Sequence, residues 1–271
     1  MKRVESKEFY HRFLDEAGDT TFFGKGKVPI VGKVEGVSLS FILGMVKFKE
    51  PLTDVRTKII ALQNEVASDD YLNDIPSIKK RTSSDGFFFH AKDDVPEVKE
   101  KFFKFIKSLD LSFEAVVGRK IYNIFVAKHN SNESEFYADL LSHLIKNKFE
   151  LGGKLILNVA QRGKSTRNQN LMRAIETAQK RFSKKKPDKQ VVTNIVFNVQ
   201  YPTTDPLLSV PDYLCWIVQR VFERGDMRYY NFMEEKISWI SDVYDSSKYK
   251  GYGNYYNHQN KLTAENKLSP L

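Results

Sequence analysis

The chain has 271 residues, 41% of them hydrophobic, 13% aromatic and 28% charged; this is enough apolar material for a core and rules out a largely disordered polymer. Its length suits one large α/β domain or two small ones. Lys and Arg outnumber Asp and Glu by 43 to 34, and the lone cysteine, Cys215, excludes an internal disulfide or a Cys-rich zinc site and suits a reducing compartment.

Phe9–Leu14 reads as a strand running into Asp15-Glu16-Ala17-Gly18-Asp19, where Gly18 and the acids supply turn chemistry. Thr20–Phe23 with Val28–Val31 forms a short return strand broken by Gly24 and Gly26, and Val37–Phe48 a third strand, together an antiparallel meander. After Pro51, Leu52, Val55, Ile59, Leu62 and Val66 recur at helical spacing. Phe87–Phe89 is a short aromatic strand-like run. Asp94-Val95-Pro96-Glu97 then reads as an N-cap with a capping-box acid, opening a helix through Val98, Phe102, Phe105, Ile106 and Leu109. Phe113–Val117 is a strand closed by Gly118.

A helix from about Glu133 to Lys148, stopped by Gly152-Gly153, precedes a buried-type strand at Leu155–Val159. The helix Asn170–Phe182 and the strand Val191–Val199 follow, then the most apolar helix, Leu207–Arg224, and a further helix over Tyr229–Val243. Strands cluster first and then alternate with helices, which is the pattern of parallel βαβ units. The expected fold is α/β: a mixed sheet, with an antiparallel N-terminal meander plus parallel strands and helices on both faces. A single domain over residues 1–245 and an irregular tail over 246–271 are expected. No apolar run approaches the roughly 18 residues of a membrane helix, and the opening residues lack the apolar stretch of a secretory signal. A cytoplasmic protein with no membrane partner is the expectation.

The basic surplus is local. Residues 146–189 hold 13 Lys and Arg against three acids, Glu150, Glu176 and Asp188. A cationic region of this kind either grips a polyanion, releasing counterions from each neutralised phosphate, or is a solvated face.

Two acidic constellations stand out. Asp15, Glu16 and Asp19 lie at a strand end, where carboxylates are placed to hold Mg²⁺ or Mn²⁺; a polar hairpin turn would use the same residues. Strand alternation keeps Asp15 and Glu16 off one face while the strand stays regular, whereas a turn at Gly18 would return Asp19 towards Asp15. In Ser209-Val-Pro-Asp212-Tyr-Leu-Cys-Trp216, Asp212 either completes a capping box or points to the sheet as a second acid. Gln161-Arg162-Gly163-Lys164-Ser165-Thr166 imitates the end of a P-loop, but Asn158 stands where its first Gly is required. Arg162, Lys164 and Arg167 remain candidates for a nucleic-acid backbone. His11, His90, His129, His143 and His258 are scattered without metal-ligand spacing, and no Gly-x-Ser-x-Gly elbow occurs.

Phe13-Leu-Asp-Glu-Ala-Gly-Asp19, Phe89-His-Ala-Lys-Asp-Asp94, Val117-Gly-Arg-Lys120 and Val210-Pro-Asp-Tyr-Leu-Cys-Trp-Ile-Val-Gln-Arg220 with Gly225-Asp226 occur in an order and spacing that resemble the family known as domain of unknown function 3800. That resemblance implies an RNase H-like fold with the first strand's acid at its heart. It also implies phosphodiester chemistry with two divalent ions, Mg²⁺ or Mn²⁺, about 3.5–4 Å apart. Asp15 would then be the central metal ligand and Asp212 the ligand from the late helix. Glu16 or Asp19 would assist, and Lys120 would meet a phosphate. The family's nuclease relatives would carry one more acid at the end of a central strand, where this chain has Asn158, Ala160 and Gln161; Glu65, Glu114 or Asp93 could replace it. The function so implied is a metal-dependent nuclease or related phosphoryl-transfer enzyme acting on DNA or RNA, of the kind carried by phage-defence or mobile-element cassettes. The alternative is a non-catalytic nucleic-acid-binding or interaction module that keeps the fold with a degraded site.

Overall fold

The computed structural model describes residues 9–84, 86–161 and 168–269. In chain order, β1 (Phe9–Gly18) and β2 (Ser40–Phe48) precede three helices, α1 (Leu52–Ser68), α2 (Pro76–Ser84) and α3 (Pro96–Ser108). Then come β3 (Leu111–Arg119), α4 (Tyr122–His129), α5 (Glu133–Ile145), β4 (Lys154–Ala160), α6 (Asn168–Lys185) and β5 (Asn194–Gln200). The chain continues through α7 (Ser209–Arg224), α8 (Arg228–Met233), β6 (Ile237–Asp242) and the two-residue β7 (Tyr255–Tyr256).

The seven strands form one mixed sheet in the order β5-β4-β1-β2-β3-β6-β7. β2 runs antiparallel to both β1 and β3; β4 is parallel to β1 and to β5, and β6 is parallel to β3. β2 is buried along almost its whole length because helices cover both of its sides, so its sequence is a near-continuous apolar run rather than an alternating one. Ile42 and Val46 face a core shared with α1, α3 and α7; Phe41, Leu43 and Met45 face a second core shared with α5 and α6. The expected mixed sheet with helices on both faces is therefore present, and no helix of the described residues is long and apolar enough to cross a membrane.

Several local expectations are corrected. β1 does not stop at Leu14 but continues through Gly18, so Asp15 and Glu16 belong to the strand. The residues after it form no return strand: a 3-10 turn spans Lys25–Lys27, and a single bridge joins Phe23 to Pro29. The middle and last strands of the meander are β2 and β3, the latter reached after three helices. Phe22 instead enters the second core and stacks on Phe125 with ring centroids 3.7 Å apart. Phe87–Phe89 belongs to no strand of the sheet. Gly118 does not close the strand but is the next-to-last residue of β3, and it is a glycine because a Cβ there would stand 2.5 Å from Leu140 Cδ1 of α5. Val95, not Asp94, is the N-cap of α3, with no side-chain cap bond.

The expected helix over Tyr229–Val243 is split. Arg228–Met233 is α-helical and Glu234–Lys236 a 3-10 turn, while Ile237–Asp242 pairs alongside β3. The apolar residues at Ile237 and Ile240 fit a helix face by spacing, but both are buried, and the edge of β3 captures the segment as a strand. α2 carries too few apolar residues to show a periodicity, and in α4 the apolar residues Ile124–Ala127 run consecutively and so mark no single face. The final stretch is irregular, built of short 3-10 turns, yet it is packed: β7 extends the sheet, Leu262 is buried, and Asn266 Nδ2 donates to Tyr256 Oη at 2.6 Å.

Candidate functional site

The β1–β4 ladder runs as far as Leu14↔Val159, while β1 continues beside β2 to Gly18↔Phe41. Asp15 is thus the first residue of β1 past the β4 ladder, and its Oδ1 accepts the backbone N–H of Glu16 at 2.8 Å. Here β1 has a parallel neighbour on one side and an antiparallel one on the other. Crevices at the carboxyl ends of strands, where such a change of connection occurs, are the places where open α/β sheets take ligands.

Asp15 lies opposite Gly44 of β2. Gly44 has no side chain because α7 occupies the space: a Cβ there would come within 2.5 Å of Cys215 Sγ and would also strike the Phe113 ring. The Cys215 thiol donates to the Asp15 carbonyl at 3.3 Å. The close approach brings the first turn of α7, with Asp212, to the end of β1. Burial pushes the Cys215 thiol well above its ordinary pKa, and the charges of Asp15, Asp212 and Glu16 push it further.

Asp212 does not form the capping box. The N-cap of α7 is Leu208, without a side-chain bond, and Asp205 caps the short 3-10 turn before it by accepting from Leu207 N. Asp212 Oδ2 accepts instead from Ala91 N at 2.7 Å, in the segment that leads into α3. Burial raises the pKa of this carboxyl; His90 and the Ala91 N–H oppose the rise, and Asp94 and Asp93 add to it. A positive charge arriving beside Asp212 would favour its ionised form.

Glu16, Asp19, Asp212 and Glu223 line one cavity of about 580 Å³, with Lys92, Arg220 and Arg224 also in its wall. Glu16 is buried, and the alternation that sends Phe13 and Ala17 to one core and Leu14 to the other sets its side chain on the opposite face from Asp15. Asp19 is spent on structure. Its Oδ1 accepts from Thr21 N and Lys120 Nζ, both at 2.9 Å, and its Oδ2 from Ser38 N and Ser38 Oγ. Burial alone would raise its pKa, but the Lys120 and Ser38 hydrogen bonds outweigh it and hold the carboxyl below its ordinary value. Glu223 is spent likewise, accepting from Leu39 N, Ser40 N and Ser40 Oγ at the start of β2.

Lys120 does not offer itself to a phosphate. Its side chain is fully buried in the pair with Asp19, and burial lowers its pKa against the opposing pull of that carboxylate. Asn158 is not a spare ligand either: its Oδ1 accepts from Asn198 Nδ2 at 2.9 Å, and its Nδ2 donates to the Arg12 carbonyl. Ala160, the β4 residue that follows the last ladder pair, brings no oxygen-bearing side chain next to Asp15. Of the proposed replacements, Glu65 is exposed and bound to Lys101, and Glu114 is held by Lys148. Asp93 Oδ2 lies 3.1 Å from His90 Nδ1, and its charge reaches Asp212. Arg162, Lys164 and Arg167 lie outside the described residues. In the rest of the basic segment Lys148 pairs with Glu114, Arg181 pairs with Asp139, and Lys186 and Lys189 share Glu150.

The donors at the end of β1 are carboxylate oxygens, the chemistry that suits hard ions such as Mg²⁺ and Mn²⁺. Among the described residues no three His, Cys, Asp or Glu side chains gather closely enough to form a cage for a metal ion. The arrangement fits Mg²⁺ only in the sparse mode, in which one or two carboxylates share the ion with water and phosphate oxygens.

Two buried polar hubs do not stand out in the linear pattern. Asp94 accepts from Arg81 Nη2 at 2.5 Å, from His90 N at 2.9 Å and from the Tyr213 hydroxyl, tying α2 and the α3 approach to α7. Asp139 of α5 gathers His129, Lys128, Arg181 and the Tyr244 hydroxyl, the last at 2.5 Å, with His143 close by. The signal for the second hub was present: Asp139 and His143 lie one turn apart on a helix whose neighbouring residues Phe136, Leu140 and Leu144 are all buried. The comparisons with known proteins add no relative: no family model matches the chain, and no curated protein matches it.

Proposed function

We propose that this protein is a metal-dependent nuclease or related phosphoryl-transfer enzyme of RNase H-like fold, acting on DNA or RNA in the reducing setting of the cytoplasm. The reading is supported by the close approach of α7 to the end of β1: Cys215, one turn after Asp212, donates to the Asp15 backbone carbonyl at 3.3 Å, and Gly44 leaves the room for it. An antiparallel meander continued by parallel strands, with the first strand in the interior of the sheet, agrees with the fold that the family resemblance implies. Asp15 and Asp212 would hold Mg²⁺ or Mn²⁺ together with substrate oxygens. Such an ion activates water and steadies the leaving oxygen. Gly44 sets the distance between the two acids by letting α7 approach β2, and the Ala91 N–H orients Asp212.

A second reading, a nucleic-acid-binding module with a degraded site, is favoured by Ala160 beside Asp15 and by the mutual neutralisation of Asp19 and Lys120. One experiment separates the two. The full chain and its Asp15→Asn/Asp212→Asn variant are incubated with single- and double-stranded DNA and RNA in Mn²⁺, with circular dichroism verifying the fold. The enzyme reading expects cleavage by the wild type and a loss on the order of a hundredfold or more in the variant. Equal cleavage by both overturns it. Salt-dependent binding without cleavage, unchanged by the double substitution, supports the module.

A further inference from the structure

We propose that a second cavity, separate from the acidic one, binds a small amphipathic anion: an apolar or aromatic body carrying one negatively charged head. The cavity has a volume of about 580 Å³ and lies between the segment that follows β1 and the corner joining β3 to α4, with the last described residues closing one side. Its body is apolar, with Phe22, Val31, Leu39 and Ile121 in the wall. Four cations, Lys33, Arg119, Lys120 and Lys267, line it, and no Asp or Glu does. A concave, mostly apolar surface with a few polar or charged groups is the usual form of a small-molecule site.

The cations divide into two pairs. Arg119 is committed to Asp242 and Asp245, at 2.7 and 2.5 Å, and Lys120 to Asp19. Lys33 and Lys267 are exposed and make no ion pair among the described residues, so the task of holding the head falls to them. The acidic cavity is mixed, with four carboxylates and three cations in its lining. The two sites thus select for different ligands, and this inference does not depend on the proposed nuclease activity.

Octanoate and adenosine monophosphate carry the same chemistry from two sources, lipid-like and nucleotide. Octanol and adenosine are their neutral counterparts, and inorganic phosphate tests the head alone. Binding of each to the full chain is measured by calorimetry in chelator, which keeps metal-dependent association with the acidic cavity out of the signal. The expected result is submillimolar binding of one or both amphipathic anions, with the matching neutral compound and phosphate at least about tenfold weaker. The Lys33→Glu/Lys267→Glu variant alters two exposed side chains; it should keep the melting temperature of the free protein and lose about tenfold in affinity. Binding of one anion alone identifies the source, and binding of both supports the shared chemistry. Failure of both anions to bind, equal binding of a neutral counterpart, or unchanged affinity in the charge-reversal variant would overturn the proposal.

Discussion

Gly44→Ala tests the close approach on which the acid pair depends. The added methyl group would meet Cys215 Sγ at 2.5 Å and the edge of the Phe113 ring. Ordinary carbon–sulfur contact needs roughly an ångström more, and both obstacles are fully buried, with relative exposures of 0%. Neither can swing aside into solvent, so α7 must lift from β2 or the ring must leave its rotamer. Overpacking of this kind costs about 1–3 kcal/mol, to be read from the urea midpoint at constant slope. The companion variant Cys215→Ala removes one of the two obstacles. In the double variant the combined loss should fall short of the sum by about 0.5 kcal/mol or more, the coupling expected of residues in direct contact. Because lifting α7 also draws Asp212 away from Asp15, any Mn²⁺-dependent cleavage should fall in Gly44→Ala and recover partly in the double variant. A Gly44→Ala protein within about 0.5 kcal/mol of the wild type, or strict additivity with Cys215→Ala, would refute the packing argument.

Two further predictions concern the buried polar hubs. Asp94→Asn keeps the shape of the side chain but leaves Arg81, whose side chain is only 11% exposed, without its counter-charge; the expected loss is about 3 kcal/mol in chemical denaturation, and a loss below about 1 kcal/mol would contradict the role given to that pair. His143 has its pKa lowered from 6.5 to about 3, by burial first and by Arg181 next, against the opposing charge of Asp139. The unfolded chain therefore takes up this proton before the folded one does. The histidine's contribution is intact above pH 6.5 and is lost as the pH falls towards 3. The slope of stability against pH in that window should be shallower in His143→Gln than in the wild type, by at most about 1.4 kcal/mol per pH unit. Identical slopes would show that His143 stays solvated in the folded state.

The sequence by itself determined the elements whose patterns are local. The stripe Leu52, Val55, Ile59, Leu62 and Val66 is helical because neighbours three and four apart share a face, and the run through β2 is apolar because both its faces need covering. It also singled out Asp15, an acid at a strand end where a divalent ion could be held, and Asp212, an acid beside Tyr213, Leu214 and Trp216 that is costly without a partner. Only the tertiary structure decided what each acid does. Asp19 and Lys120 cancel each other, Glu223 clamps β2, and Asp94 abandons a helix end for Arg81 and Tyr213. Ile237–Asp242 becomes a strand because the edge of β3 supplies hydrogen bonds that no helical periodicity can reveal. In each case the deciding partner stands far along the chain, and side-chain charge and backbone pairing act over a few ångströms of space. The spacing of residues along the chain does not record those distances.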